Sequence, residues 1–329
     1  MHRSPVRVFA LVAVTALVLG ACSKTTTTTP TATKITVRAG QNDPKDPNVA
    51  VLAFLPASIT VATAASVDFA FAGPEPHSVS FFPAGVMPPT PDKASAMFPP
   101  NGDTATFDGT AEANSGLRPQ GAPANPFTVT FPKAGDFEYH CLIHPLMHGM
   151  VKVVDSGTTD TASEVTTRGD TELAPFLAEG EAAKAQLLAA APTKKTVGGH
   201  TTWTVIMGAS TMHTDVLAFA PMDAAIKAGD TVLFQNDSTA PHTATFASDG
   251  KFPQNPEDPA VQAPTSKSPI TLALTGAFNS GLLPPAAPPT SPPPLVARQF
   301  SFVVPAAGTY KYICVFHVPS GMAGSIVAS

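Results

Sequence analysis

The chain has 329 residues, 36 of them proline, with only 13% charged residues and a formal net charge of −5. Such sparse, slightly acidic charge, with no cluster of Lys and Arg, excludes the basic surface that nucleic acid requires. No glycine-rich phosphate loop is present, and Asp and Glu are scattered without the paired spacing of acid–base catalysis.

Residues 1–22 read as a signal peptide. His2, Arg3 and Arg7 give a basic start, and residues 8–19 form an apolar run too short to span a bilayer. The segment ends Leu19, Gly20, Ala21, Cys22, which resembles the lipobox of bacterial lipoproteins. That resemblance implies a lipidated Cys22 and a protein held extracytoplasmically on a bacterial membrane, at the cell surface or in the periplasm. Residues 23–33 are Thr-rich and read as a flexible tether.

From residue 34 the signals are those of strands. Residues 35–37, 49–52, 59–61, 67–71 and 127–131 are rich in β-branched and aromatic side chains, several alternating with period two between Pro and Gly turns. Residues 201–206, 231–234 and 299–304 repeat the pattern. This predicts an all-β chain of two Greek-key β-sandwiches in tandem, over 34–155 and 200–329. The segment 156–199 between them predicts a partly helical linker: residues 171–191 are rich in Ala, Leu, Glu and Lys, Pro175 suits a first turn, Gly180 opposes the helix, and Lys194, Lys195, Gly198 and Gly199 end it. Proline-rich runs at 83–126 and 284–294 predict long surface excursions, either covering one end of each sandwich or lying free of it.

The two halves are copies. Val51-Leu-Ala-Phe54 recurs as Val216-Leu-Ala-Phe219, His77 as His242, and Asn114-Ser-Gly-Leu117 as Asn279-Ser-Gly-Leu282, all offset by 165 positions. Beyond them the offset is 173, which pairs Gly135 with Gly308, Tyr139 with Tyr312 and Cys141 with Cys314.

Each copy carries a Cys followed three residues later by a His, with a Met just beyond: Cys141, His144 and Met147, then Cys314, His317 and Met322. With His77 and His242 as the upstream partners, each copy holds a thiolate, two imidazoles and a thioether. A His₂Cys set with a weak axial Met is the electron-transfer form of copper site. Met150 competes with Met147 for the fourth place. The match of Met322-Ala-Gly324 to Met147-His-Gly149 favours Met147 and makes Met150 a strand residue. With Cys22 assigned to lipid and two Cys to metal, none of the three remains for a disulfide.

These motifs resemble the cupredoxins, the blue copper proteins of the plastocyanin and azurin group. The loop spacing of the second copy is similar to plastocyanin and pseudoazurin, and that of the first to amicyanin. The resemblance implies two type 1 copper sites per chain, electron transfer with redox partner proteins, and exit through His144 and His317 beside the apolar Pro145-Leu146 and Val318-Pro319. The residue after the first His, often Asn in the family, is Ser78 or Thr243 here, whose hydroxyl can still bond the facing loop. Copper delivery or storage is an alternative. A two-domain copper oxidase or nitrite reductase is another, because His140 precedes Cys141; such an enzyme needs further ligands, but no His-x-His pair occurs, Ile313 stands at the position matching His140, and His148, His200 and His213 would complete a site only by coincidence.

Overall fold

The structure, a computed structural model, describes residues 34–73, 75–89, 102–118, 125–247, 250–253, 259–284 and 298–329. Residues 1–33, which include the segments read as a signal peptide and a tether and Cys22, and much of the proline-rich runs lie outside the described residues.

Val49–Leu55 and Thr214–Ala220 read as nearly unbroken apolar runs, and every residue in both strands is buried. A strand of that kind needs cover on both faces, and these two lie at the centre of an eleven-stranded sheet that runs through both repeats. On one side it continues through Ile35–Asn42, Ser66–Phe71, Phe127–Thr130 and Thr104–Thr106. On the other it continues through His200–Ser210, Thr231–Asn236, Gln299–Val303 and Ile270–Thr271. The central strands pair antiparallel, with Val51 opposite Thr214, Ala50 opposite Asp215 and Val49 opposite Val216. Under the 165-residue offset these partners are equivalent positions exchanged, so a local two-fold axis passes between Ala50 and Asp215. The backbone bonds flanking it obey the same symmetry: Leu52 N–H to the His213 carbonyl and Leu217 N–H to the Asn48 carbonyl, both 2.7 Å.

A five-stranded sheet closes each sandwich. In the first repeat it holds Ser58–Ala62, His148–Val154, Gly135–His140, Ser80–Phe81 and Ala113–Asn114. The second repeat has the matching set, including Gly308–Ile313 and Ala323–Ala328. Each sandwich has an aromatic core, around Phe54, Phe69, Phe81 and Tyr139 in one and Phe219, Phe234, Phe246 and Tyr312 in the other. Ala50 and Leu52 of the first repeat pack into the second core.

The linker helix α1, Ala162–Ala189, is longer than the composition predicted and begins nine residues earlier. A capping box sets its start: Thr161 Oγ1 accepts from Glu164 N–H, and Glu164 Oε2 accepts from Thr161 N–H. Pro175 therefore lies mid-helix rather than in a first turn. It leaves the exposed Thr171 carbonyl without its usual donor, which water can supply. Gly180, expected to oppose the helix, is what lets α1 cross the joint. A Cβ there would stand 2.4 Å from Val49 Cγ1 and 3.3 Å from Thr214 Cβ, one on each repeat's central strand. Val165, Leu173 and Leu187 are buried beneath α1, each worth about 1.5–3 kcal/mol. Gly198 and Gly199 do not end the helix; they turn the strand Lys194–Val197 back onto His200–Ser210. Among the described residues no helix is long and apolar enough to cross a membrane.

Candidate metal centres

The order of elements brings distant residues to one end of each sandwich. In the first repeat, His77 sits on an isolated bridge to Arg118, while Cys141 follows directly on the strand Gly135–His140. His144 and Met147 lie on the tight loop beyond it, closed by Cys141 N–H to the Met147 carbonyl at 2.9 Å and Met147 N–H to the His144 carbonyl at 2.9 Å. The second repeat repeats every step: His242 bridges Leu283, and the loop closes through Cys314 N–H to Met322 at 3.0 Å and Met322 N–H to His317 at 3.1 Å.

The donors converge. Cys141 Sγ lies 3.4 Å from His144 Nδ1 and 3.8 Å from His77 Nδ1, and the two Nδ1 atoms are 3.1 Å apart. For Cys314, His317 and His242 the corresponding distances are 3.2, 3.6 and 3.0 Å. In each triangle the point equidistant from the three donors is about 2 Å from all of them, a metal–nitrogen or metal–thiolate bond length. Two Nδ1 atoms at that separation cannot both direct a proton at the other; a cation between them satisfies both lone pairs. The residues therefore fit copper. Among the described residues these are the two groups of three or more His, Cys, Asp or Glu whose donor atoms converge, and all six side chains are buried. Met147 and Met322 are buried in the same cores as the two Cys, whereas Met150 is half-buried on the strand His148–Val154.

Electrostatics prepares the thiols as ligands. Burial raises the Cys141 thiol, but His144 and His77 more than reverse this and hold it well below its ordinary value. Cys314 is also lowered, burial being outweighed by His317 and by the backbone N–H of Thr243, which donates to Sγ at 3.4 Å. Ser78 N–H donates to Cys141 Sγ at 3.5 Å. Burial and His317 push His242 well down, toward the neutral imidazole a metal needs.

The hydroxyls after the first His bond the facing loop, as the sequence suggested. Ser78 Oγ accepts from Leu142 N–H at 2.9 Å, and Thr243 Oγ1 accepts from Val315 N–H at 3.0 Å. The repeated Asn-Ser-Gly, to which no role was assigned, braces the same strands: Val79 N–H donates to Ser115 Oγ and Ala244 N–H to Ser280 Oγ, both at 2.9 Å. Gly40 and Gly208 were missed. Both have positive φ, +71° and +76°, at the bulge of strands Ile35–Asn42 and His200–Ser210, and they make room for the first His ring. A Cβ on Gly40 would stand 2.0 Å from His77 Nε2, and one on Gly208 2.8 Å from His242 Nε2. The sites differ here: His242 Nε2 is 2.7 Å from Ser238 Oγ, while His77 Nε2 is buried without a partner, Ser238 being matched by Gly73.

One expectation changes: exit through His144 and His317 implies rings at the surface, but they are only 7% and 2% exposed. The other repeat reaches both: buried Glu75 of the first lies 3.3 Å from His317 Nε2, and buried Asp215 of the second acts electrostatically on His144. The apolar neighbours do reach the surface, Leu146 at 50% and Val318 at 38% exposure. His140, His148, His200 and His213 join neither centre. His140 and His148 face each other across two strands with Glu138 beside them, His213 stacks on Phe176, and His200 lies near Gly229.

No family model matches the chain. Chloroplast plastocyanin of Oryza sativa subsp. indica is 27% identical over 150 residues, covering 46% of this chain and 78% of its own. Plastocyanin of Vicia faba is 28% identical over 125 residues, 38% of this chain and 98% of its own. Among solved structures, a purple cupredoxin from Nitrosopumilus maritimus is 22% identical, covering 38% of this chain and 98% of that one with a TM-score of 0.24. The fold is a pair of cupredoxin-like β-sandwiches, and it carries two His–Cys–His–Met groups that resemble type 1 copper sites.

Proposed function

We propose that this chain is an electron-transfer protein with one type 1 copper in each repeat, coordinated by His77, Cys141, His144 and Met147 and by His242, Cys314, His317 and Met322. The observation that carries it is the duplicated triangle of thiolate and two imidazoles, buried and held by backbone bonds from both sides. The similarity to plastocyanins supports it.

Copper would supply a one-electron couple, copper(I) to copper(II). The protein's part is to hold a ligand set that satisfies both states without rearrangement. Each Cys is fixed by a backbone N–H on its sulfur and by its own N–H on the Met carbonyl; each first His is fixed by its bulge glycine; each second His is buried, and His317 meets Glu75 of the other repeat. Water is excluded, and Cys141 and Cys314 are 2% and 0% exposed. A closed, rigid site suits an ion that stays and exchanges electrons; delivery favours an open one. The exposed apolar residues Leu146 and Val318 suit weak docking of a redox partner. We further propose that lipid on Cys22 holds the protein to the outer face of a bacterial membrane, on the strength of the lipobox-like Leu19 to Cys22.

Metal analysis with visible spectroscopy tests the copper reading. Two coppers per chain and a blue oxidised protein are expected. Cys141→Ser should remove one chromophore and Cys314→Ser the other. If either substitution abolishes both centres in a folded protein, the repeats share one metal centre and the oxidase reading replaces this one; steady turnover of nitrite, or of a phenol with oxygen, has the same force. Cys22→Ala should release the protein from membranes with its colour intact; retention would place the anchor elsewhere.

A further inference from the structure

The centres are joined by a side chain that the proposed function does not use. Glu75 belongs to the first repeat, two residues before His77, yet its Oε2 lies 3.3 Å from Nε2 of His317 in the second. The carboxylate is 5% exposed and the imidazole 2%. Glu75 Oε1 has no hydrogen-bond partner, so contact with the protein's interior is tolerated for the sake of the other oxygen; a buried carboxylate is otherwise strongly disfavoured. His317 turns Nδ1 toward Cys314 and His242. Nε2 is then the nitrogen that carries the proton, and Glu75 is placed to accept it. Such a carboxylate fixes both the tautomer and the plane of a metal-binding imidazole.

The arrangement is one-sided. The position matching Glu75 in the second repeat is Ala240, so His144 has no equivalent partner. The carboxylate that acts more strongly on His144 is Asp215, whose Oδ1 accepts from Ser210 Oγ and Thr239 Oγ1 and whose Oδ2 has no hydrogen-bond partner, so no bond from it to His144 is made. Asn48 of the first repeat strengthens the same contact, donating from Nδ2 to the carbonyls of Ser320, on the second ligand loop, and Leu217.

We propose that Glu75 couples the two centres: it holds His317 in the orientation its site requires, and the connection His77–Pro76–Glu75···His317 carries an electron from one repeat to the other. This rests on the copper reading above. In the exchange, copper(I) in one repeat is oxidised to copper(II) while copper(II) in the other is reduced to copper(I). One electron moves, no bond forms or breaks, and the proton stays on His317 Nε2.

The test uses the full chain with Glu75→Leu, which removes the acceptor at similar volume, and Glu75→Gln, which restores a neutral one. Replacing a buried charge by an apolar side chain of similar size is compatible with folding; the first repeat's blue band and the melting of the apoprotein confirm it. Three readouts are needed. Nitrogen NMR of histidine-labelled apoprotein, at a pH high enough for His317 to be neutral, should show it protonated on Nε2 in the parent and the Gln variant, and a tautomer mixture in the Leu variant. Copper(I) competition with a chromophoric chelator, in the Cys141→Ser background, should show second-repeat affinity falling about tenfold or more in Glu75→Leu and recovering in Glu75→Gln. After flash reduction, the doubly loaded parent should show a concentration-independent redistribution between the two blue bands, about tenfold slower in Glu75→Leu. An unchanged His317 tautomer, unchanged second-repeat affinity, or exchange equally fast in Glu75→Leu would overturn the proposal with the copper reading intact. A parent that binds no blue copper would instead overturn the copper reading, and the exchange with it.

Discussion

Gly40→Ala is the sharpest test of how the first centre is built. Gly40 has φ +71°, a conformation that costs an L-residue about 1–2 kcal/mol. The new Cβ would stand 2.0 Å from His77 Nε2, 2.6 Å from Cδ2 and 2.9 Å from Cε1, so it collides with the ring itself rather than with a flexible chain end. Either the strand or the imidazole must move, and overpacking of this kind costs about 1–3 kcal/mol. If the ring yields, the cost of bringing it back, about 1–3 kcal/mol, falls on copper affinity, a loss of between about fivefold and about 150-fold. Gly208→Ala meets His242 Nε2 at 2.8 Å, Ser238 Cβ at 2.9 Å and the Val216 carbonyl at 2.9 Å, and should weaken the second centre less. The assay is chelator competition and the blue band, with the first site isolated by Cys314→Ser and the second by Cys141→Ser. Parental affinity and spectrum of the first site in Gly40→Ala would refute the view that the bulge glycine seats His77.

Three further outcomes are expected. Asp215 is buried with Oδ2 unpartnered, and burial raises its carboxyl above 3.8 despite bonds from Ser210 and Thr239. A raised carboxyl disfavours the fold once ionised, so Asp215→Asn should stabilise the apoprotein by about 1–2 kcal/mol at pH 7. That gain should shrink as pH falls through the raised value and vanish below 3.8; denaturant titrations across pH check this, and a constant gap would refute it. Thr161→Ala removes the capping box and should lower stability by about 1 kcal/mol in denaturant unfolding, with both blue bands unchanged. Gly180→Val drives its Cβ into Val49 at the joint of the repeats, and should cost about 1–3 kcal/mol by the same measurement; a neutral result would mean that α1 does not press on the central strands.

Much of each centre was legible because its chemistry is local. Cys141, His144 and Met147 share one short loop, as do Cys314, His317 and Met322, and duplication identified His77 and His242 as the missing imidazoles. Duplication also carried the Asn-Ser-Gly brace, although its role needed the side-chain partners. The helix was harder to read. Its boundary depends on the Thr161–Glu164 capping box, and Gly180, unfavourable by propensity, is favourable only because two strands lie beneath it.

By itself, then, the sequence determined the repeated β-sandwiches, the donor types and their grouping, since alternation and ligand spacing act over a few residues. The tertiary structure decided how the copies meet. Pairing of Val49–Leu55 with Thr214–Ala220 across a local two-fold axis merges two sheets into one. It turns the His144 and His317 edges inward and brings Glu75 to His317. The periodicity of a strand records which face is buried but not which partner buries it. A contact between residues so far apart in the chain exists only once the backbone has placed both.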